Sequence, residues 1–222
     1  WLVTVDAHDG TVLGAADTTR ACDDGVVGTI VTSSEGIRAE LTGEPPQTHS
    51  IETCESNIFD EWFLEDHRQH SDIHVYDASG FETPGGAAAW FGLCVQPACF
   101  AVSAGDNTWT AAEFQASDYR NAQRSLAYYR DVHGRDGADD SGEDLQIASG
   151  IDYDNATAMG MFRTIAFGRP QPDRGKPSYG VLDVAAHELT HIVSWHEWVG
   201  VFDYGFEGVL HGVEGAVDEH MS

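Results

Sequence analysis

The 222 residues carry 37 acidic side chains against 11 basic ones, for a formal charge of −26, and 41% of the chain is hydrophobic. That apolar share can close one medium core or two small ones, whereas the negative field excludes the phosphate backbone of nucleic acid as a partner. No run approaches the ~18 consecutive apolar residues of a membrane-spanning helix, so a soluble protein is expected.

In chain order, Trp1 to Leu13 alternates apolar and polar residues on either side of Ala7-His8-Asp9-Gly10, and Asp-Gly between such runs predicts a hairpin of two short strands. Gly25 to Leu41 is a second β-prone run, closed by Pro45-Pro46. The stretch after it, rich in His, Asp and Glu, is expected to be irregular. Ile73 to Tyr76 predicts another strand, ended by Asp77-Ala78-Ser79-Gly80. Cys22, Cys54, Cys94 and Cys99 form no Cys-x-x-Cys array, so disulfides are expected, Cys94 with Cys99 and Cys22 with Cys54, which implies an oxidising compartment.

The pattern changes at Thr110-Ala111-Ala112-Glu113, a capping box, after which Phe114, Ala122, Leu126 and Tyr129 recur at helical spacing. A long helix to about His133 follows from this. Gly134 to Gly142 reads as a polar turn, Ile147 to Tyr153 as a short strand, and Gly168 to Gly180 as a loop with three prolines. A second helix is predicted from Leu182 to His196, with Leu182, Ala185, Leu189 and Ile192/Val193 on one stripe. The fold class is therefore α+β, a β-rich first half followed by two helices.

That second helix carries His187-Glu188-Leu189-Thr190-His191. Residues four apart lie on one helical face, roughly 40° apart around the axis, so both imidazoles can reach one ion. The glutamate beside the first histidine points to the side, where it can take a proton from a water at that ion without ligating it. Two histidines on a helix are often plain polar surface. Here Val184, Ala185 and Ala186 make the approach small and apolar, and a partly buried polar cluster requires a reason. Zinc requires at least one more protein ligand. Of the downstream carboxylates, Glu197 is too close on the same helix and Glu207 lies between glycines; spacing leaves both Glu214 and Glu219 open.

Asp183-Val184-Ala185-Ala186-His187-Glu188-Leu189-Thr190-His191 resembles the zinc helix of the thermolysin-like neutral proteases. Gly215-Ala216-Val217-Asp218-Glu219-His220-Met221-Ser222 is similar to that family's third-ligand segment, with Asp218 where asparagine is usual. The resemblance makes Glu219 the third zinc ligand beside His187 and His191, and Glu188 the general base. It extends to Tyr128 to Arg135, similar to the end of the family's long first helix. Tyr153-Asp154-Asn155-Ala156 looks like the edge strand on which substrate is laid, which would make Asn155 and Ala156 substrate contacts; an ordinary Asx turn is the competing reading.

The same resemblance implies a secreted, monomeric endopeptidase acting on peptide or protein substrates and partnered by its own propeptide. Residues 1–15 would be the last propeptide hairpin and 16–222 the N-terminal catalytic domain, cut before a helical domain that carries the oxyanion-stabilising histidine. Tyr204 is the nearest candidate for a second oxyanion contact, and Asp183 matches a calcium ligand, so Zn²⁺ is the expected cofactor and Ca²⁺ a second candidate. The interval from His191 to Glu219 is longer than the family's, with Trp195 to Gly205 as the expected insertion; Gly160 to Gly168 lacks the family's acidic turn. Two rival readings are an inactive relative serving as a binding or inhibitory module and a zinc aminopeptidase. A retained Glu188 weighs against the first, and the absence of a Gly-x-Met-Glu-Asn motif against the second.

Overall fold

The computed structural model describes residues 2–5, 12–16, 22–32, 47–56, 62–66, 72–91, 102–104, 106–109, 114–171 and 179–198. Its elements are β1 (Leu2–Val5), β2 (Val12–Ala16), β3 (Cys22–Thr32), β4 (Gln47–Ser56), β5 (Trp62–Phe63), β6 (Glu65–Asp66), β7 (Ile73–Asp77), α1 (Pro84–Phe91), β8 (Ser103–Ala104), β9 (Thr108–Trp109), α2 (Phe114–His133), β10 (Leu145–Ile151), β11 (Ala156–Met159), a 3₁₀ turn (Gly160–Phe162), β12 (Thr164–Gly168) and α3 (Leu182–Trp198). This is the α+β class.

β1 and β2 form the expected antiparallel hairpin, with Val3 opposite Ala15 and an irregularity between Thr4 and Val5. Among the described residues this pair is hydrogen-bonded to neither of the two larger sheets. The first of those has the order β8-β5-β4-β3-β9. Its spine is the long antiparallel β3–β4 ladder, from Cys22 opposite Ser56 to Thr32 opposite Gln47. From Gln47 to Ser56 the stretch after Pro45-Pro46 is therefore a strand and not irregular. Cross-strand pairing along β4 overrides its polar composition, as expected where strand preference is set by context. Cys54, buried on this strand, is disulfide-bonded, and no described cysteine is free.

The second large sheet positions the site. Its order is β11-β12-β10-β7-β6, with β7, β10 and β12 parallel and the two outer strands antiparallel. Parallel strands covered on both faces read as continuous apolar runs; accordingly all of β12 and nearly all of β7 and β10 are buried. The strand expected at Ile147 to Tyr153 runs instead from Leu145 to Ile151, because Tyr153 already turns back to bond its N–H to the Ile151 carbonyl at 2.8 Å. Gly150 (φ +86°) sits where the register against β12 slips, and a Cβ there would meet the Phe114 ring at 3.0 Å. Glycine is required on both counts.

Helix α2 packs on β7 and β10, and α3 packs on α2, β11 and β12. One apolar cluster joins them: Ile73, Val75, Leu145, Ile147, Ile165 and Phe167 from the sheet, Tyr119 and Leu126 from α2, and Leu189 and Ile192 from α3. Each such side chain contributes about 1.5–3 kcal/mol on burial. The α3 stripe is the one predicted, and the helix runs two residues further than expected. Immediately before α3 the chain passes so close to α2 that a Cβ on Gly180 would overlap Asp118, while Asn121 Nδ2 donates to the Gly180 carbonyl at 2.8 Å.

Asp118 is itself buried, accepting a short hydrogen bond from Ser149 Oγ on β10, and its Oδ1 has no hydrogen-bond partner among the described residues. Burial pushes its carboxyl up to about 7, against the opposing pull of the Ser149 bond. Helix α1 was not expected from the sequence. Thr83 caps it, its Oγ1 accepting from Gly86 N at 3.2 Å, and Pro84 takes the first position, where a missing N–H costs nothing.

Candidate metal centre

Helix α3 enters through Val181, whose carbonyl accepts from Ala185 N at 2.9 Å. With Ala185, Leu189 and Ile192 fully buried against the core, helical geometry turns His187 and His191 to another face, where both are partly exposed. Their Nε2 atoms approach to 3.0 Å, with the rings edge to face and 4.5 Å between centroids. Two ligands on one tetrahedral zinc stand ~3.3 Å apart, so the pair is converged on a common point with little adjustment. Glu188, between them in sequence, is 7% exposed.

A carboxylate this buried requires partners or a task. The turn that holds the two histidines is fixed by Thr190, whose Oγ1 donates to the Ala186 carbonyl at 2.8 Å and leaves the Tyr129 hydroxyl of α2 to donate to it at 2.7 Å.

Beside α3 lies β11, which among the described residues pairs only with β12, from Ala156 opposite Phe167 to Met159 opposite Thr164, and carries no strand on its other side. It is an edge strand. Its far end is pinned by Trp195 of α3, against which a Cβ on Gly160 would come within 2.3 Å. At its near end Ala156 is buried and opens the strand, while Asn155 is exposed in the preceding bend, its carbonyl accepting from Gly168 N at 2.9 Å. Asp154 and Asn155 lie in a bend, and the strand begins at Ala156. Tyr179, two residues before Val181, donates its hydroxyl to Asp154 Oδ1 at 2.6 Å and ties this turn to the entry of α3. Burial, then that carboxylate, pushes the phenol up to about 12.

Glu219 and Tyr204 lie outside the described residues. Asp183 is exposed in the first turn of α3, accepting from Val184 N at 3.0 Å, and belongs to no cluster of metal-type donors among the described residues. The one such cluster described is Asp72, His74 and Asp144, which the linear sequence did not bring together.

Two convergent imidazoles and a buried glutamate thus share one helix beside a sheet edge that is open among the described residues. Residues 40–194 match the thermolysin metallopeptidase catalytic domain, and the chain belongs to that family. It is similar to a bacillolysin of Bacillus caldolyticus, at 27% identity over 229 residues covering 100% of this chain and 37% of that protein. A thermolysin of Alicyclobacillus acidocaldarius is 28% identical over 232 residues, with the same shares covered. Neutral protease B of Bacillus subtilis strain 168 is 32% identical over 94 residues, 41% of this chain and 17% of that protein. The chain thus spans little more than a third of the length of the first two relatives. Among solved structures, a precursor of protealysin, a metalloproteinase from Serratia proteamaculans, aligns with a TM-score of 0.46 at 18% identity over 67% of this chain and 40% of that one.

Proposed function

We propose that this chain is the N-terminal part of the catalytic unit of a secreted zinc endopeptidase, with residues 1–15 the end of its propeptide and 16–222 catalytic. The observation that carries the reading is the convergence of His187 Nε2 and His191 Nε2 beside buried Glu188, next to the edge strand β11. Family membership supports it.

In this reading His187, His191 and Glu219 hold the zinc ion, which when bound supplies a Lewis acid and acidifies water. Glu188 takes a proton from the attacking water and later delivers it to the leaving amine, acting as base and then as acid. The extended substrate pairs with the free side of β11, so that Ala156 and the turn at Asn155 lie against its backbone. The Tyr179–Asp154 and Trp195–Gly160 contacts fix both ends of that strand relative to the helix. Tyr204 as an oxyanion contact and Asp183 as a calcium ligand belong to the same reading.

The test is zinc content and hydrolysis of casein and of N-blocked peptides by the full-length parent protein beside its Glu188→Gln variant. One zinc in each, with cleavage by the unmodified protein alone, is the expected result. Zinc in both and cleavage by neither would make the protein a binding module. Cleavage confined to peptides with a free amino terminus would make it an aminopeptidase.

A further inference from the structure

Away from α3, on β7 and at the entrance to β10, we infer a second divalent-cation site built from Asp72, His74 and Asp144. The ligand atoms of these three residues all lie within 4.8 Å of one another. They share none of the residues assigned to the helix-borne centre, and β12 separates the β7–β10 pair that carries them from the edge strand.

Sheet register creates the cluster. Leu145 pairs with Ile73 in the parallel β7–β10 ladder, and Leu145 N donates to the Asp72 carbonyl at 2.8 Å. Asp72 and Asp144, each one residue earlier, are therefore placed side by side. His74 follows Asp72 by two, on the same face of the sheet. On the other side of β7, Glu65 is the cross-strand partner of His74.

Two features favour an ion over a simple bridge. His74 Nε2 stands 3.5 Å from Asp144 Oδ2, longer than the ~2.7–2.9 Å of a charge-assisted hydrogen bond. It is close to the ~3.3 Å that separates two ligands on one tetrahedral zinc. Behind the ring, Nδ1 faces Glu65 Oε1, also at 3.5 Å. A carboxylate behind a ligating imidazole fixes its tautomer and directs the other nitrogen outward, an arrangement typical of metal-bound histidines.

The charge balance agrees. Glu65, Asp72 and Asp144 surround one imidazole that is only 6% exposed, with Asp144 reaching solvent. A proton on His74 offsets one of the three charges; a divalent ion offsets two.

One nitrogen and two carboxylate oxygens suit a borderline ion such as Zn²⁺, Co²⁺ or Mn²⁺. Bound there, it would fasten β6, β7 and β10 together, a structural role separate from peptide hydrolysis.

The test uses the full-length parent protein, stripped by a chelator and titrated with Co²⁺, with bound metal counted by atomic emission and thermal midpoint followed in parallel. Asp144→Asn and Asp72→Asn are run beside it, each checked by circular dichroism. The expected result is one fewer equivalent of Co²⁺ in both folded variants than in the unmodified protein. A metal-dependent rise in midpoint should also be smaller in the variants. Equal stoichiometry in all three would overturn the site and leave His74 as a proton bridge only. A single equivalent in the unmodified protein that vanishes on His187→Ala would overturn it equally, while leaving the helix-borne centre in place.

Discussion

Two histidine-centred clusters are built in opposite ways. His187 and His191 stand four residues apart on one helix, and their meeting is guaranteed once the helix forms. Asp72, His74 and Asp144 come from two strands about 70 residues apart, and they meet only because β7 and β10 pair in one register. A slip of one residue would send His74 to the other face of the sheet. The first cluster therefore depends on local geometry and the second on tertiary pairing. Disturbing the helix face should abolish chemistry with modest structural effect, whereas disturbing the sheet should be felt first as stability.

The sharpest separation is expected from Glu188→Gln. It should lower turnover on peptides by about 10²–10⁴-fold, the usual worth of a positioned acid–base group, with zinc content unchanged. Steady-state kinetics beside metal analysis decides it, and loss of zinc together with activity would assign Glu188 a structural role instead.

Next comes Leu189→Ala, which opens a cavity under the turn that joins the two histidines. A loss of about 2–5 kcal/mol in urea unfolding is expected. A smaller loss, with zinc retained, would mean that the helix is held by its hydrogen bonds rather than by its apolar face.

On the sheet side, Asp118 contacts β10 through Ser149 and supplies a pH test. Its folded value of about 7 lies above the ordinary 3.8, so the folded state holds this proton more tightly than the unfolded chain. The associated stability is complete below pH ~4 and is lost as pH rises through 7. Asp118→Asn should remove that slope and leave the variant more stable than the unmodified protein at pH 8, by an amount on the order of a few kcal/mol. Parallel stability–pH curves for the two proteins would show that Asp118 does not titrate in this range.

The smallest effect is expected from Tyr129→Phe, which deletes the hydroxyl bonded to Thr190 across α2 and α3. About 1 kcal/mol of stability should go, with little change in zinc affinity. A large drop in affinity would show that the helix face relies on its neighbour after all.

The contrast also explains what could be read in advance. The His187-Glu188-His191 spacing, the α3 stripe and the α2 periodicity are local, and each was visible in the sequence. β12 escaped notice because Thr164–Gly168 is a five-residue, wholly buried strand that alternates with nothing. α1 escaped because Gly85 and Gly86 weaken helical preference just after Pro84, and packing of Ala87 supplies the difference. β4 was hidden by its polar composition. The Asp72–His74–Asp144 group has no signature along the chain at all, since it exists only through register. Glu219 was reached by resemblance, where spacing had left Glu214 equally open.

The Tyr179–Asp154 tie has a consequence for alkaline conditions. A phenol that releases its proton only near 12 goes on donating through the whole range in which ordinary lysines and tyrosines lose theirs. The turn before β11 would thus keep its tie to the start of α3 at a pH where an ordinary tyrosine has begun to ionise.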